Sequence, residues 1–320
     1  MILLPGHSAG DVPAFFKISP SALARLFNMP EEAGEKELSM TLTNEDIARR
    51  ESFLRDLLAS AGTLALDGFR QQEGRPIDMK GPQDYLTETD SAVETHIRAR
   101  LSEAFPEDGF LGEETGGTPG DQAWVVDPID GTANFARAIP HFCISIAFLA
   151  GGEVQLGGIV NPALDETYLA RLGQGATRNG QPIHVSATTD IAATSFEMGW
   201  SNRRPLASYV SAQRELFEAG SNVRRGASGA LGLAYVADGR SDGYAELHMN
   251  PWDCLAGLLL VREAGGVTGP FLASDGLAQG GSVLAATPGV ADILSQATAI
   301  PLLAGRDLLP ETQAQSLRTA

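Results

Sequence analysis

An apolar strand that runs straight into two aspartates narrows the folds open to this chain. Trp124-Val-Val leads into Asp127-Pro128-Ile129-Asp130-Gly131-Thr132-Ala-Asn134-Phe135. Pro128 has no N–H to give to a central ladder, so the strand is expected to end there. Asp130 stands where it can cap a short helix starting after Gly131. Two aspartates three residues apart across a sharp turn can converge on one point, because the turn removes the strand's outward alternation. The Ile129 carbonyl between them can join as a hard oxygen ligand. Oxygen-only ligation suits Mg²⁺, Mn²⁺ or Ca²⁺ rather than zinc, and no Cys or His lies at metal-ligand spacing. Taken alone, the run also reads as two aspartates that merely cap a turn.

The rest of the sequence is compatible with a layered soluble fold. Of 320 residues, 43% are hydrophobic and 20% charged, enough to bury a substantial core in one large domain or two smaller ones. The formal net charge of -17 repels nucleic acid and anionic lipid unless positive charge is locally concentrated. Arg203-Arg204 and Arg224-Arg225 are only pairs, so neither a nucleic-acid nor a membrane partner is expected. Cys143 and Cys254 sit inside apolar stretches and read as reduced core thiols. No apolar run reaches membrane-spanning length, and Met-Ile-Leu-Leu-Pro is too short a start for a signal peptide. A cytoplasmic location is the expectation.

Residues 1–40 mix Gly, Pro, Ser and a Glu-rich patch without sustained periodicity, and are expected to be a flexible extension. A helix should start at Thr43 or Asn44, with Glu45 and Asp46 in its first turn and Ile47, Leu54, Leu57, Leu58, Ala61 and Leu64 on one face. Val93, Ile97 and Leu101 mark a second helix, ended by Pro106. Strands are expected at Ala123–Val126, Phe142–Leu149 and Leu156–Val160, and a tight turn at Asn179-Gly180. Further on, strands at Ser195–Met198 and Tyr244–Leu247 alternate with helices near 205–219, 228–238 and 253–264. The pattern implies an N-terminal α+β subdomain over 41–188, a C-terminal α/β subdomain over 189–310 and a tail over 311–320.

Two more segments carry chemistry. Gly112-Glu113-Glu114-Thr115 follows Phe110-Leu111, and Pro251-Trp252-Asp253 opens an apolar helix that runs to Glu263-Ala-Gly-Gly266. Separately, Glu113 and Glu114 read as solvated loop charges and Asp253 as an N-cap. Jointly and in this order, the three segments resemble the signature elements of the inositol monophosphatase family, over roughly residues 43 to 300. The Asp127–Phe135 run is close to the family's main motif, and Gly175–Ile183 around Asn179-Gly180 is similar to a recurring family turn.

The resemblance implies an α+β fold, a layered α/β/α/β/α sandwich, and two or three Mg²⁺ ions per site. By that resemblance Glu113, Asp127 and the Ile129 carbonyl hold the first ion, while Asp127, Asp130 and Asp253 hold the second. Thr132 and Asp90 match the threonine and carboxylate that orient the attacking water, Glu114 supports the site, and Lys80 matches a lysine that reaches toward the metal or phosphate. Gly131 and Thr132 can present backbone N–H groups to phosphate. Glu246 matches an acidic position that accepts hydrogen bonds from substrate hydroxyls. Ala227-Ser228-Gly229 falls where the family often has Gly-Ser/Thr-Ala, so the glycine and alanine positions are exchanged here.

The implied function is Mg²⁺-dependent hydrolysis of a small phosphate monoester by a metal-activated water, with lithium inhibition and a homodimer as family expectations. Inositol-1-phosphate is the first substrate. Histidinol phosphate is the alternative within the same chemistry, and a regulatory protein-binding role is the alternative of a different class.

Overall fold

The computed structural model describes residues 42–71, 79–81, 84–85 and 88–303, with only the backbone of 79–81 and 84–85. Two helices come first, α1 (Asn44–Arg70) and α2 (Glu88–Ala104), separated by a small antiparallel pair, β1 (Met79–Gly81) and β2 (Asp84–Tyr85). The 3.6-residue spacing has the expected result: α1 buries Ile47, Leu54, Leu57, Leu58 and Ala61, and α2 buries Val93, Ile97 and Leu101. Leu64, expected on the same stripe of α1, is only partly buried.

A seven-stranded sheet follows in simple sequential order: β3 (Gly109–Gly112), β4 (Gln122–Asp130), β5 (Cys143–Ala150), β6 (Glu153–Asn161), β7 (Glu166–Arg171), β8 (Ala176–Arg178) and β9 (Gln181–Pro182). Only β3 and β4 pair in parallel. The one-turn helix α3 (Thr132–Phe135) links β4 to β5. A buried ion pair anchors the start of this sheet. Arg50 on α1 meets Asp108 at 2.7 Å, and Trp124 Nε1 donates to the same carboxylate at 2.9 Å.

The second half builds a five-stranded mixed sheet from β10 (Ser195–Met198), β11 (Asn222–Arg224), β12 (Gly243–Met249), β13 (Val267–Thr268) and β14 (Gly281–Ala286), in the order β11-β10-β12-β14-β13. Its helices are α4 (Leu206–Glu218), α5 (Gly229–Ala237), α6 (Pro251–Glu263), α7 (Gly276–Gln279) and α8 (Ala291–Thr298). Helices α5 and α6 pack against strands of both sheets, α1 and α2 cover the seven-stranded sheet, and α4 and α8 cover the five-stranded one. The result is the α/β/α/β/α sandwich expected from sequence. Two adjacent glycines on β6 show the layering directly. A side chain on Gly157 would meet the Ala256 backbone of α6, and one on Gly158 would meet Leu54 and Leu58 of α1.

One expectation about the Asp127 run needs correction. The strand does not end at Pro128; β4 continues to Asp130. Asp127 pairs with Ser145 and Asp130 with Cys143, so two residues, Pro128 and Ile129, oppose the single Ile144. This is a β-bulge, and a bulge is where a strand tolerates proline, because the missing N–H takes no bond from the ladder.

The described residues from Asn44 onward form one unit. The expected division between 188 and 189 falls in the segment between β9 and β10. The expected extension over 1–40 and the tail over 311–320 lie outside the described residues, as does the Lys80 side chain.

Candidate active site

The bulge is the foundation of the site. In a regular strand, residues three apart face opposite sides of the sheet. The extra residue between Asp127 and Asp130 cancels that offset and turns both carboxylates the same way. It also removes the Ile129 peptide from the ladder. Ile129 N–H donates to Asp127 Oδ1 at 3.0 Å, and the Ile129 carbonyl accepts from Thr132 Oγ1 at 2.9 Å.

Asp130 does not cap the helix that follows it in sequence. Gly131, at φ 93°, is the N-cap of α3 and makes no side-chain cap bond. The Asp130 carboxylate instead reaches across the sandwich to the start of α5, about a hundred residues along the chain. It accepts from Ser228 Oγ at 2.5 Å, Ala230 N at 2.8 Å and Gly229 N at 3.3 Å. A helix N-terminus of nine residues presents unpaired amides there, which favour the anion.

Asp253 arrives from α6, and its position also differs from the sequence expectation. Asn250 is the N-cap, Pro251 opens the helix, and Asp253 is the third helical residue. Its Oδ2 accepts from Asn250 N at 3.0 Å and Asn250 Nδ2 at 3.3 Å. The carboxylates of Asp127, Asp130 and Asp253 lie within 4.8 Å of one another. Glu113 stands at the open edge of the cluster, exposed as a residue but near enough to Asp127 for the two to perturb each other. Its loop is held by Glu94 of α2, fully buried, which accepts from Glu114 N at 2.9 Å, Thr115 N at 2.8 Å and Thr115 Oγ1 at 2.5 Å. Sequence reasoning passed over Glu94; a carboxylate in the middle of an apolar helical stripe was the available signal.

Four carboxylates this close cannot all remain ionised without a cation among them. Burial, then repulsion from Glu113, Asp130 and Asp253, holds the Asp127 carboxyl well above the usual carboxylate range. Desolvation of the Glu113 carboxyl among its acidic neighbours and the Asp253 charge do the same to it, although the residue as a whole is exposed. Asp253 is pushed up to about 7 by burial and the Asp130 charge. Burial also raises Asp130, but the bonds from Ser228, Ala230 and Gly229 pull against it. The donor set is all oxygen, dense in negative charge and backed by fixed hydrogen bonds, which fits a hard divalent cation.

Thr132 Oγ1 lies 3.5 Å from Asp90 Oδ1, a looser contact than its bond to Ile129 O, and Asp90 is buried on α2. Asn134, quoted in the motif without a role, has one. Its Nδ2 donates to His141 O at 2.7 Å and Gly226 O at 2.9 Å, tying the turn after β4 to the loop before α5. In that loop Ala227 has φ 62°, a left-handed conformation that glycine adopts more readily. The exchanged residue order therefore puts the β-carbon on the strained position and leaves Gly229 bare. Glu246 lies on β12, accepts from Tyr244 OH at 2.6 Å, and is pushed up to about 8 by burial and the Asp253 and Asp130 charges. Glu114 contributes its charge to the Glu113 environment.

The fold and site together define an α+β sandwich with an acidic cluster able to hold a metal between its two halves. A family model described as the inositol monophosphatase family matches residues 46–299, and the chain belongs to that family. It is 38% identical over 249 residues to an inositol-1-monophosphatase of Mesorhizobium japonicum, covering 76% of this chain and 94% of the relative. It is 35% identical over 235 residues to the Nus factor SuhB of Escherichia coli K12, covering 72% and 88%. The solved extragenic suppressor protein suhB of Bartonella henselae superposes with a TM-score of 0.71 at 32% identity, covering 77% of this chain and 97% of that one. With Nus factors among these relatives, the expectation that nucleic acid is no partner draws no support from the comparisons. Among the described residues no helix is long and apolar enough to cross a membrane.

Proposed function

We propose that this chain is a Mg²⁺-dependent phosphatase of small phosphate monoesters, with inositol-1-phosphate as its first substrate. The observation that carries the reading is the convergence of Asp127, Asp130 and Asp253 within 4.8 Å, with Glu113 close enough at the open edge for its charge to raise Asp127. Glu113, Asp127 and the Ile129 carbonyl would hold one ion, and Asp127, Asp130 and Asp253 a second. When bound, such ions supply a water nucleophile at neutral pH and neutralise the phosphate and the leaving oxygen.

The chain's own residues then orient and select. Thr132 Oγ1 donates to the Ile129 carbonyl at 2.9 Å in this structure and also lies within reach of Asp90 Oδ1 at 3.5 Å. Rotated toward Asp90, the hydroxyl would give its hydrogen to that carboxylate while its lone pair takes one from the attacking water, so the proton ends on Asp90. Gly131 and Thr132 offer backbone N–H groups toward phosphate. Glu246 and the Ala227–Gly229 loop face the alcohol. Cys143 and Cys254, both buried and unbridged, fit a reducing cytoplasm.

Phosphate release from inositol-1-phosphate, histidinol phosphate and other small esters, with Mg²⁺ and with chelator, tests this reading. Mg²⁺-dependent release from inositol-1-phosphate is expected. Tenfold preference for histidinol phosphate would keep the mechanism and move the substrate, and no release from any ester would refute it. The relatives named as Nus factors favour a second reading, a protein-binding role. Asp127→Asn protein that retains a partner after losing hydrolysis would establish it.

A further inference from the structure

Tyr244 lies on β12 two residues before Glu246 and is 1% exposed. Its phenol occupies a slot bordered by three glycines from three elements: Gly199 after β10, Gly229 at the start of α5 and Gly232 within it. A β-carbon on Gly232 would sit 2.7 Å from Tyr244 Cδ2, and one on Gly229 would sit 3.0 Å from the hydroxyl while overlapping Met249 Cε. A β-carbon on Gly199 would overlap both the hydroxyl and Glu246 Oε2. Glycine is a poor helix former, and the ring accounts for Gly232 inside α5. The slot leaves the ring one position, from which its hydroxyl donates to Glu246 Oε2 at 2.6 Å.

Glu246 stands beside the carboxylate cluster: Gly229, which borders the Tyr244 hydroxyl, donates its N–H to Asp130 at 3.3 Å, and the Asp253 and Asp130 charges raise Glu246. We propose that Tyr244 is a positioning residue that sets the alcohol selectivity of this site. By engaging Oε2 it fixes the Glu246 carboxylate, so that the other oxygen receives a hydroxyl or ammonium hydrogen of the leaving alcohol. Gly229 is the position that keeps the phenol in place, and this is the structural meaning of the exchanged Ala227-Ser228-Gly229 order. A site built around a fixed acceptor discriminates strongly against an analogue that lacks the donor.

This inference rests on the phosphatase reading, and kinetics can separate the two. Wild type, Tyr244→Phe and Gly229→Ala would be assayed on inositol-1-phosphate, glycerol-2-phosphate and p-nitrophenyl phosphate at saturating Mg²⁺. Tyr244→Phe, which fits the slot, should raise KM about tenfold for the two hydroxyl-bearing esters, the effect of one well-placed hydrogen bond. Their kcat should be unchanged, as should KM for p-nitrophenyl phosphate. Gly229→Ala, whose amide also bonds Asp130, should raise KM for the same two esters and is read for that alone; if it does not fold, Tyr244→Phe decides. Equal effects on all three esters, no effect on any, or a wild-type preference for p-nitrophenyl phosphate would overturn the assignment. Wild type inactive on every ester would bring down the phosphatase reading and this inference with it.

Discussion

Asp127 is the residue on which the others depend, since it accepts from the Ile129 peptide and lies among the Glu113, Asp130 and Asp253 charges. Asp127→Asn should abolish phosphate release and, by removing a repelling charge, raise the melting temperature of the metal-free protein. Near-normal turnover in the variant would refute the proposed ligand set. The raised carboxyls also fix the sign of a pH dependence. Asp253 rises to about 7 and Glu246 to about 8, against about 4 for the unfolded chain. Between those values the folded state holds protons that the unfolded state has released, so stability falls as pH rises. The metal-free melting temperature should therefore decline from pH 5 to pH 8, and Mg²⁺ should flatten the slope; a flat metal-free profile would contradict it. Ala227→Gly should stabilise the protein by up to about 1 kcal/mol in urea denaturation, by relieving a left-handed alanine.

Among the elements, α2 links the core to the loop that carries Glu113. Glu94→Gln keeps the shape of the side chain but weakens three hydrogen bonds to that loop. A higher Mg²⁺ requirement with little loss of kcat at saturation is the expected outcome in a metal titration; an unchanged requirement would mean the loop holds itself. Elements with strong periodicity were legible in advance. The stripes of α1 and α2, the strands around Gly151-Gly152, and the Asn179-Gly180 turn all lie where the sequence places them. What misled was the reach of single residues. Pro128 reads as a strand stop because proline breaks a ladder, yet a bulge had already taken that position out of the ladder. Asp130 reads as the cap of the adjacent helix, yet its partners are amides on α5 that only the folded sandwich brings near. Lone residue types carry no information about distant neighbours, which is why Glu94, Tyr244 and the role of Asn134 stayed hidden.

Across the whole molecule, both sheets and the helices between them contribute to one centre, with Asp127 and Asp130 from the first half and Asp253, Ser228 and Glu246 from the second. A cation bound among them would link the halves. Mg²⁺ should raise the melting temperature, and chelation should lower it, by an amount that grows with the logarithm of ligand excess over the dissociation constant. Every site residue named lies beyond Asn44, so removing residues 1–39 should leave turnover intact; its loss would assign those residues a part in the site.

The bulge in β4 has one more consequence, for genetics. The Ile129 peptide, taken out of the ladder and bonded by side chains instead, is a polar group at the heart of the site, yet it belongs to the backbone, and the Ile129 side chain is fully buried. A codon change can replace that side chain but leaves the carbonyl in place. An alanine scan would report the aspartates, the glutamates and Thr132, while this oxygen would score as silent. Erasing it takes synthesis, such as an amide-to-ester exchange that weakens the carbonyl as an acceptor, because no mutation spells its absence.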